Sequence, residues 1–134
     1  MLVKERFLNK IYTTKDNIIF ERAALLNSLY RKENFKFKKD FLPNGWHWIF
    51  FNENNTSEEL DFDGHLKRGK VIPRLFGYKR MYAGGELIFK KKIRYGHALA
   101  KKSFIQSITR KSKNGKNLYF INKKIFSELK MKYI

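Results

Sequence analysis

The most constraining feature of the sequence is a pair of β-prone segments on either side of a short turn. Residues 99–110 and 117–127 are rich in β-branched and aromatic side chains, and Lys113-Asn114-Gly115-Lys116 lies between them. Asn-Gly is the strongest short signal for a hairpin turn, because both residues tolerate the positive φ angles that a two-residue turn needs. The sequence therefore predicts a long antiparallel hairpin.

An upstream segment, residues 21–31, has the pattern of a helix. Glu21 lies in its predicted first turn, and Arg31 and Lys32 lie in its last, which suits the helix macrodipole. Its apolar residues cover more than a narrow stripe, which is typical of a helix enclosed by a sheet. They are Ala23, Ala24, Leu25, Leu26, Leu29 and Tyr30.

Further extended segments are predicted before and after this helix. Residues 10–20 contain several β-branched residues and predict a short extended segment. Residues 43–45 (Pro-Asn-Gly) predict a turn, and residues 46–51 predict a strand with large side chains on both faces. Residues 86–94 predict another strand, with Leu87, Phe89 and Ile93 on one face. One buried helix with a run of antiparallel strands predicts an α+β fold.

Length and composition limit the class of protein. The 134 residues suit a single domain over residues 1–134, and 43% hydrophobic residues suffice for a packed core. Cysteine is absent, so we expect neither disulfides nor thiolate chemistry, and we expect no metal site. The apolar runs are far shorter than the roughly 20 residues of a membrane span, and the N-terminus lacks the pattern of a secretory signal. We therefore expect a cytoplasmic protein that contacts no membrane.

The chain is strongly basic, with 30 Lys and Arg against 12 Asp and Glu, a formal net charge of +18. Such a charge favours anionic ligands and makes a basic nucleic-acid-binding domain the alternative function. However, 22 of the 30 cations are Lys, and Asn, Ile, Phe and Tyr are also abundant, as AT-rich coding sequences dictate. Nucleic-acid binding would also require aromatic side chains interleaved with cations on an exposed sheet, a pattern that the sequence does not indicate.

Residues 52–66 are polar and acidic and predict a loop or flap. Asp63 and His65 lie two residues apart in it and are candidates for an acid–base pair, although a flexible loop is a poor place for one. Residues 64–70 (Gly-His-Leu-Lys-Arg-Gly-Lys) come within one residue of a phosphate-loop motif. We reject that match, because Val71 stands where Ser or Thr must bind magnesium and no strand precedes the segment.

Two blocks of sequence resemble a known family. The first is residues 42–51 (Leu-Pro-Asn-Gly-Trp-His-Trp-Ile-Phe-Phe), followed by residues 63–65 (Asp-Gly-His). The second is residues 80–89 (Arg-Met-Tyr-Ala-Gly-Gly-Glu-Leu-Ile-Phe). In this order and spacing they resemble the N-terminal half of MaoC-like dehydratases, the family of proteins related to mesaconyl-CoA hydratase and type 2 hydroxyacyl-thioester dehydratases. Tyr82 is a mild departure, because the family usually has Trp there.

The resemblance implies a hot-dog fold, in which an antiparallel sheet wraps around one helix, and a hydratase or dehydratase function. Two such folds pair around an acyl-CoA or acyl-carrier thioester, and no separate cofactor is needed because CoA or the carrier only bears the acyl group. Family members activate water with an Asp and a His at a spacing that this chain lacks. The resemblance therefore implies a half without the catalytic pair, inactive alone, that forms a homodimer or pairs with a second hot-dog subunit.

The resemblance also implies a substrate tunnel beside the two blocks. The aromatic residues of the first block either line this tunnel or belong to the core, and the glycines of the second either approach the thioester or form a plain turn. A CoA phosphate is expected near Arg80 or among the lysines of the hairpin. The predicted substrate-binding residues are Trp46, His47, Trp48, Arg80, Met81, Tyr82, Ala83, Gly84 and Gly85, and the hairpin lysines are Lys101, Lys102, Lys111, Lys113, Lys116, Lys123 and Lys124.

Overall fold

The computed structural model describes residues 5–30 and 38–129. Its regular elements are β1 (Tyr12–Asn17), α1 (Phe20–Ser28), β2 (Phe41–Leu42), β3 (Ile93–Arg94), β4 (Ala98–Lys113) and β5 (Lys116–Leu129), with single turns of 3₁₀ helix at Trp46–Ile49 and Ser57–Glu59. One sheet has the strand order β1-β4-β5, and a second consists of β2 and β3 in antiparallel pairing. Within the described ranges, no helix has the length and apolarity to cross a membrane.

The predicted hairpin is confirmed and is longer than expected. β4 and β5 are joined by Asn114 and Gly115, whose φ angles of 51° and 72° are those of a type I′ turn. The first half of β4 contains buried residues, among them Leu99 and Ile105, whereas its end near the turn is exposed. A local turn signal thus determines the pairing of the two longest strands.

The described residues form two compact units, each built from discontinuous segments. The first unit takes residues 5–13, 53–81 and 102–126, and the second takes 14–30, 38–52, 82–101 and 127–129. Each has its own buried side chains: Phe7, Pro73, Ser103 and Ile105 in the first, and the cluster of Ile18, Ala23, Leu42, Phe50, Phe51 and Leu99 in the second. The assignment of residues 1–134 to one domain stays a prediction.

Helix α1 is shorter and less buried than its sequence predicts. It begins at Phe20 and ends at Ser28, and its predicted last turn at residues 31–32 lies outside the described residues. Only Ala23 joins the buried cluster of the second unit, and Leu25 and Leu29 remain 72% and 77% exposed. The prediction of an α+β fold with antiparallel strands is nonetheless confirmed.

The prediction of a strand at residues 46–51 is wrong, because the chain continues the preceding turn instead. Gly45 has φ +88°, a left-handed conformation that glycine adopts without strain, and Trp46–Ile49 follows as one turn of 3₁₀ helix. The Phe50 N–H then donates to the His47 carbonyl at 3.1 Å, so the backbone is satisfied locally rather than by a neighbouring strand. Aromatic composition alone does not distinguish these two outcomes.

The predicted strand at residues 86–94 is present only at its end. Ile93 and Arg94 form β3 and pair with Leu42 and Phe41. Residues 82–92, called the exposed segment below, have exposed side chains throughout and no regular structure. A β-prone sequence becomes a strand only where another strand hydrogen-bonds with it, and no described residue does so here.

Candidate functional site

The structure brings Asp63 and His65 together in the acidic loop of the first unit. The His65 N–H donates to the Asp63 carboxylate at 3.1 Å, and His65 Nδ1 lies 3.4 Å from the same oxygen, Oδ1. The Asp61 N–H donates to the His65 carbonyl at 2.7 Å and closes the loop. The predicted proximity of Asp63 and His65 is therefore present.

The pair is open to solvent, unlike the acid–base groups of an enclosed active site. The side chains of His65 and Asp63 are 62% and 34% exposed. The His65 backbone N–H, assisted by the charges of His65 and Arg80, lowers the pKa of the Asp63 carboxyl. A carboxylate with a lowered pKa is a weaker base, whereas general bases usually have a pKa raised towards neutrality.

In the second unit, the first sequence block is placed beside the second. The His47 ring contacts Phe89 edge-on, with 6.0 Å between ring centroids, and Trp48 in the same way at 6.1 Å. Burial lowers the pKa of His47, which favours the neutral imidazole, with one donor and one acceptor nitrogen. Trp46 stacks on Tyr30 at 5.8 Å, whereas Trp48 is 67% exposed. His47 is therefore the residue of the first block that reaches the exposed segment.

The glycines of the second block lie in an open stretch of backbone. Tyr82, Ala83, Gly84 and Gly85 are all exposed. Gly84 has φ +147°, a conformation that favours glycine, and the Tyr82 hydroxyl lies only 2.6 Å from where a Cβ on Gly85 would be. The Tyr82 side chain thus folds back over Gly85, a position that no larger residue fits without moving the tyrosine.

Arg80 and Met81, which precede these glycines, belong to the first unit. An Nη atom of Arg80 donates to the Leu66 carbonyl at 3.3 Å. The Nε atom is buried and has no hydrogen-bond partner among the described residues. Met81 is 87% exposed. Arg80 therefore supports the end of the acidic loop and keeps one buried donor uncommitted.

Two small cavities lie in the first unit. One, of about 260 Å³, is lined by Asp61, Lys67, Arg68, Arg74, Leu75, Phe76 and Gly77. The other, of about 240 Å³, is lined by Arg6, Phe7, Lys10, Tyr12, Gly69 and Lys70. None of the predicted site residues lines either cavity. The sequence pattern does not single out the second set, because its cations come from distant parts of the chain.

Lys101, Lys102 and Tyr95 are titratable residues whose side chains pack against other parts of the protein. Lys101, one of the hairpin lysines, donates to the Phe51 carbonyl at 3.2 Å, and Lys102 lies 5.8 Å from the centroid of the Phe126 ring. The Tyr95 hydroxyl is buried and has no hydrogen-bond partner within the described part of the chain, and burial raises its pKa. Nearer the turn, the Lys111 ammonium lies 4.9 Å from the centroid of the Phe120 ring.

Comparison with known proteins identifies the family. Residues 45–133 match the hydroxyacyl-thioester dehydratase type 2 family, a stretch that covers more than half of the chain and includes the whole second block. The chain belongs to this family. The α+β hot-dog fold class that the sequence resemblance implied is therefore confirmed.

A second comparison agrees with membership of the hydroxyacyl-thioester dehydratase type 2 family. The mesaconyl-C(4)-CoA hydratase of Chloroflexus aurantiacus (strain ATCC 29366 / DSM 635 / J-10-fl) is 35% identical to this chain over 80 residues. The matched region is 60% of this chain but only 29% of that relative. Neither comparison points to a nucleic-acid-binding protein.

Proposed function

We propose that this chain is a hot-dog subunit of an acyl-thioester hydratase or dehydratase, and that it shapes the substrate tunnel without transferring protons. The family match over residues 45–133 carries this proposal. Dehydration of a hydroxyacyl thioester and hydration of an enoyl thioester are two directions of one reaction. Water adds its oxygen to the β-carbon and a proton to the α-carbon of the conjugated double bond, and acyl-CoA is the proposed substrate.

The assignment of proton transfer to a partner rests on the acid–base groups of this chain. Asp63 and His65 are exposed to solvent, where electrostatic interactions with a developing charge are strongly screened. His47 is half-buried with a lowered pKa, but no carboxylate of the described ranges hydrogen-bonds or forms an ion pair with it. A partner hot-dog subunit that carries the Asp/His block would supply the missing pair.

The proposed tunnel wall consists of His47 and the exposed segment. His47 contacts Phe89, and the neighbouring Leu87 and Ile88 are 57% and 70% exposed. Contiguous exposed apolar side chains are unfavourable in water and mark surfaces that a ligand or partner covers. An acyl chain and a second hot-dog subunit both have the chemistry to cover this surface. Trp46, Trp48, Arg80 and Met81 stay predicted substrate contacts.

Hydration of a short enoyl-CoA tests the proposal directly. The purified chain alone should show negligible turnover, measured as loss of the enoyl-thioester absorbance, and mixing with a hot-dog subunit that bears the Asp/His block should restore turnover. Gel filtration should show a dimer in either case, because a single hot-dog fold has an open sheet edge. Full activity of the chain alone, abolished by His65→Ala, would make the acidic loop the active site. Sequence-selective nucleic-acid binding at physiological salt would favour the alternative function instead.

Substitutions in the tunnel wall test the binding role within the active complex. Gly84→Val should raise KM by about tenfold or more, because a bulky side chain keeps substrate from the backbone. His47→Ala should raise KM less and leave kcat nearly unchanged, since His47 transfers no proton. Gly77→Val, at another positive-φ glycine, serves as the control for backbone strain alone. A collapse of kcat in His47→Ala would overturn the non-catalytic assignment. A cytoplasmic location is part of the same proposal.

A further inference from the structure

The smaller cavity of the first unit has the composition of an anion site. Its lining includes the cations Arg6, Lys10 and Lys70 and contains no Asp or Glu. None of these cations is within salt-bridge distance of a carboxylate in the part of the chain that the structure describes. Three like charges around one cavity repel each other, and an anion between them relieves that repulsion.

We call this cavity the cationic cleft; it is lined by Arg6, Phe7, Lys10, Tyr12, Gly69 and Lys70. Local contacts hold its walls in place. The Tyr12 hydroxyl donates to the Lys70 carbonyl at 2.7 Å and so joins β1 to the Gly69-Lys70 turn. Gly69 has φ +116°, and its N–H donates to the Ile72 carbonyl at 2.6 Å. The Lys10 ammonium lies 5.5 Å from the centroid of the Tyr12 ring, close enough for a cation–π contact. The cleft is therefore a formed feature of the fold rather than a set of unconstrained lysines.

The other cavity of the first unit provides a contrast. Asp61 lines it and offsets part of its positive charge. Its Arg68 guanidinium donates hydrogen bonds to the backbone carbonyls of Leu75 and Tyr78, at 3.3 and 2.8 Å, and so stabilises the local backbone. Lys67 likewise donates to the Glu58 carbonyl at 2.6 Å. The lining of the cationic cleft contains no carboxylate, and its three cations donate to no carbonyl in the part of the chain that the structure describes.

We propose that the cationic cleft binds a phosphate group, as presented by a phosphate ester or diphosphate. A volume of about 240 Å³ is smaller than the roughly 300–1,000 Å³ of pockets that enclose a whole drug-sized ligand, so it accepts the anionic group of a larger molecule. Arg6 offers a planar fork of donors and the two lysines offer compact charges, a combination that suits phosphate oxygens. The inference does not depend on the thioester chemistry proposed above.

Calorimetric titration with inorganic pyrophosphate at fixed ionic strength tests the site. The cleft variant is Arg6→Gln/Lys10→Gln/Lys70→Gln, and the matched control is Lys15→Gln/Lys38→Gln/Lys39→Gln, three exposed lysines that line neither cavity. Each variant removes three positive charges from the formal +18, so the general attraction of anions falls equally in both. We expect one pyrophosphate per chain, an affinity loss of about tenfold or more in the cleft variant, and less than about twofold in the control.

Titrations with other ligands identify the source of the phosphate, and a single-residue variant tests the site if the triple variant does not fold. Tighter binding of CoA than of pyrophosphate would support a nucleotide source, and equal binding would support an inorganic one. The affinity for enoyl-pantetheine, a thioester that lacks phosphate, should be the same for the cleft variant and the unmodified chain. A failure of thioester binding is therefore distinguished from a failure of phosphate binding. Lys10→Gln, a single exposed change, should still cost about threefold if the triple variant does not fold. Equal losses in the cleft and control variants, or no stoichiometric binding by the unmodified chain, would overturn the proposal.

Discussion

Two aromatic segments of the second unit have a similar composition and opposite surroundings. Residues 46–51 form a turn that places Phe50 and Phe51 in the buried cluster, at 2% and 4% exposure. The exposed segment, residues 82–92, leaves Tyr82 83% and Ile88 70% exposed. Both segments are rich in residues that favour β-strands, but neither segment forms a strand over most of its length.

The difference lies in polar contacts at the end of the first segment. The Asp16 carboxylate accepts the Phe51 N–H at 2.8 Å and pairs with Arg22, also at 2.8 Å. The Lys101 ammonium donates to the Phe51 carbonyl at 3.2 Å. Residues 82–90 make no backbone hydrogen bond to any described residue. Apolar side chains provide the driving force for burial, but contacts from distant residues decide which segment is buried.

The largest expected effect is the loss of a buried ring at the anchored segment. Phe50→Ala should lower the free energy of unfolding by about 3–5 kcal/mol, because it removes a buried ring and leaves a cavity. Tyr82→Ala in the exposed segment should change it by less than about 0.5 kcal/mol. Chemical denaturation of both variants measures the contrast. Similar losses in both would show that the exposed segment is packed in solution.

The polar anchor should contribute the next largest effect. Asp16→Ala leaves the Phe51 N–H and the Arg22 guanidinium without their partner, and we expect a loss of about 1–3 kcal/mol in the free energy of unfolding. Although burial alone would raise it, the Phe51 N–H and Arg22 lower the pKa of Asp16 below its ordinary value. This contribution should therefore be complete above about pH 4 and disappear as the pH falls through the folded-state pKa. Asp63→Ala, in the open loop, is the control, and an equal effect there would refute the anchor.

Two glycines with positive φ test whether strain is retained only where the backbone is held. Gly115→Ala in the hairpin should cost about 1–2 kcal/mol, since φ +72° is fixed by the paired strands and no atom lies near the new Cβ. Gly84→Ala, at φ +147° in the exposed segment, should cost much less, because an unpaired backbone relaxes. Thermal unfolding of the two variants compares them. A larger loss at Gly84 would indicate that its conformation is held.

The smallest effect concerns His47, which links the two segments through Phe89. Because burial lowers the pKa of His47, the unfolded chain binds more protons than the folded chain between the folded-state pKa and the ordinary value near 6.5. The free energy of unfolding should therefore decrease slightly as the pH falls below about 6.5. His47→Gln should remove that part of the pH dependence, seen in denaturation curves between pH 7 and pH 5. An unchanged pH profile would show that the ring is solvated.

Local sequence was a good guide where the structure is local. Asn114-Gly115 correctly indicates the hairpin, since a two-residue turn with positive φ angles has few solutions. The two sequence blocks correctly indicate the family, now matched over residues 45–133. The strand at residues 46–51 and most of the strand at 86–94 were wrong, because period-2 aromatic patterns do not specify a hydrogen-bonding neighbour.

The sequence by itself determined the hairpin, the α+β class and the family, because short turn signals and residue blocks act over a few positions. Only the tertiary structure decided that Asp16 anchors Phe51, that the exposed segment lies beside His47, and that Arg6, Lys10 and Lys70 surround one cleft. These arrangements depend on contacts between residues far apart in the chain. Their energies exist only once the fold brings them together, so no local pattern encodes them.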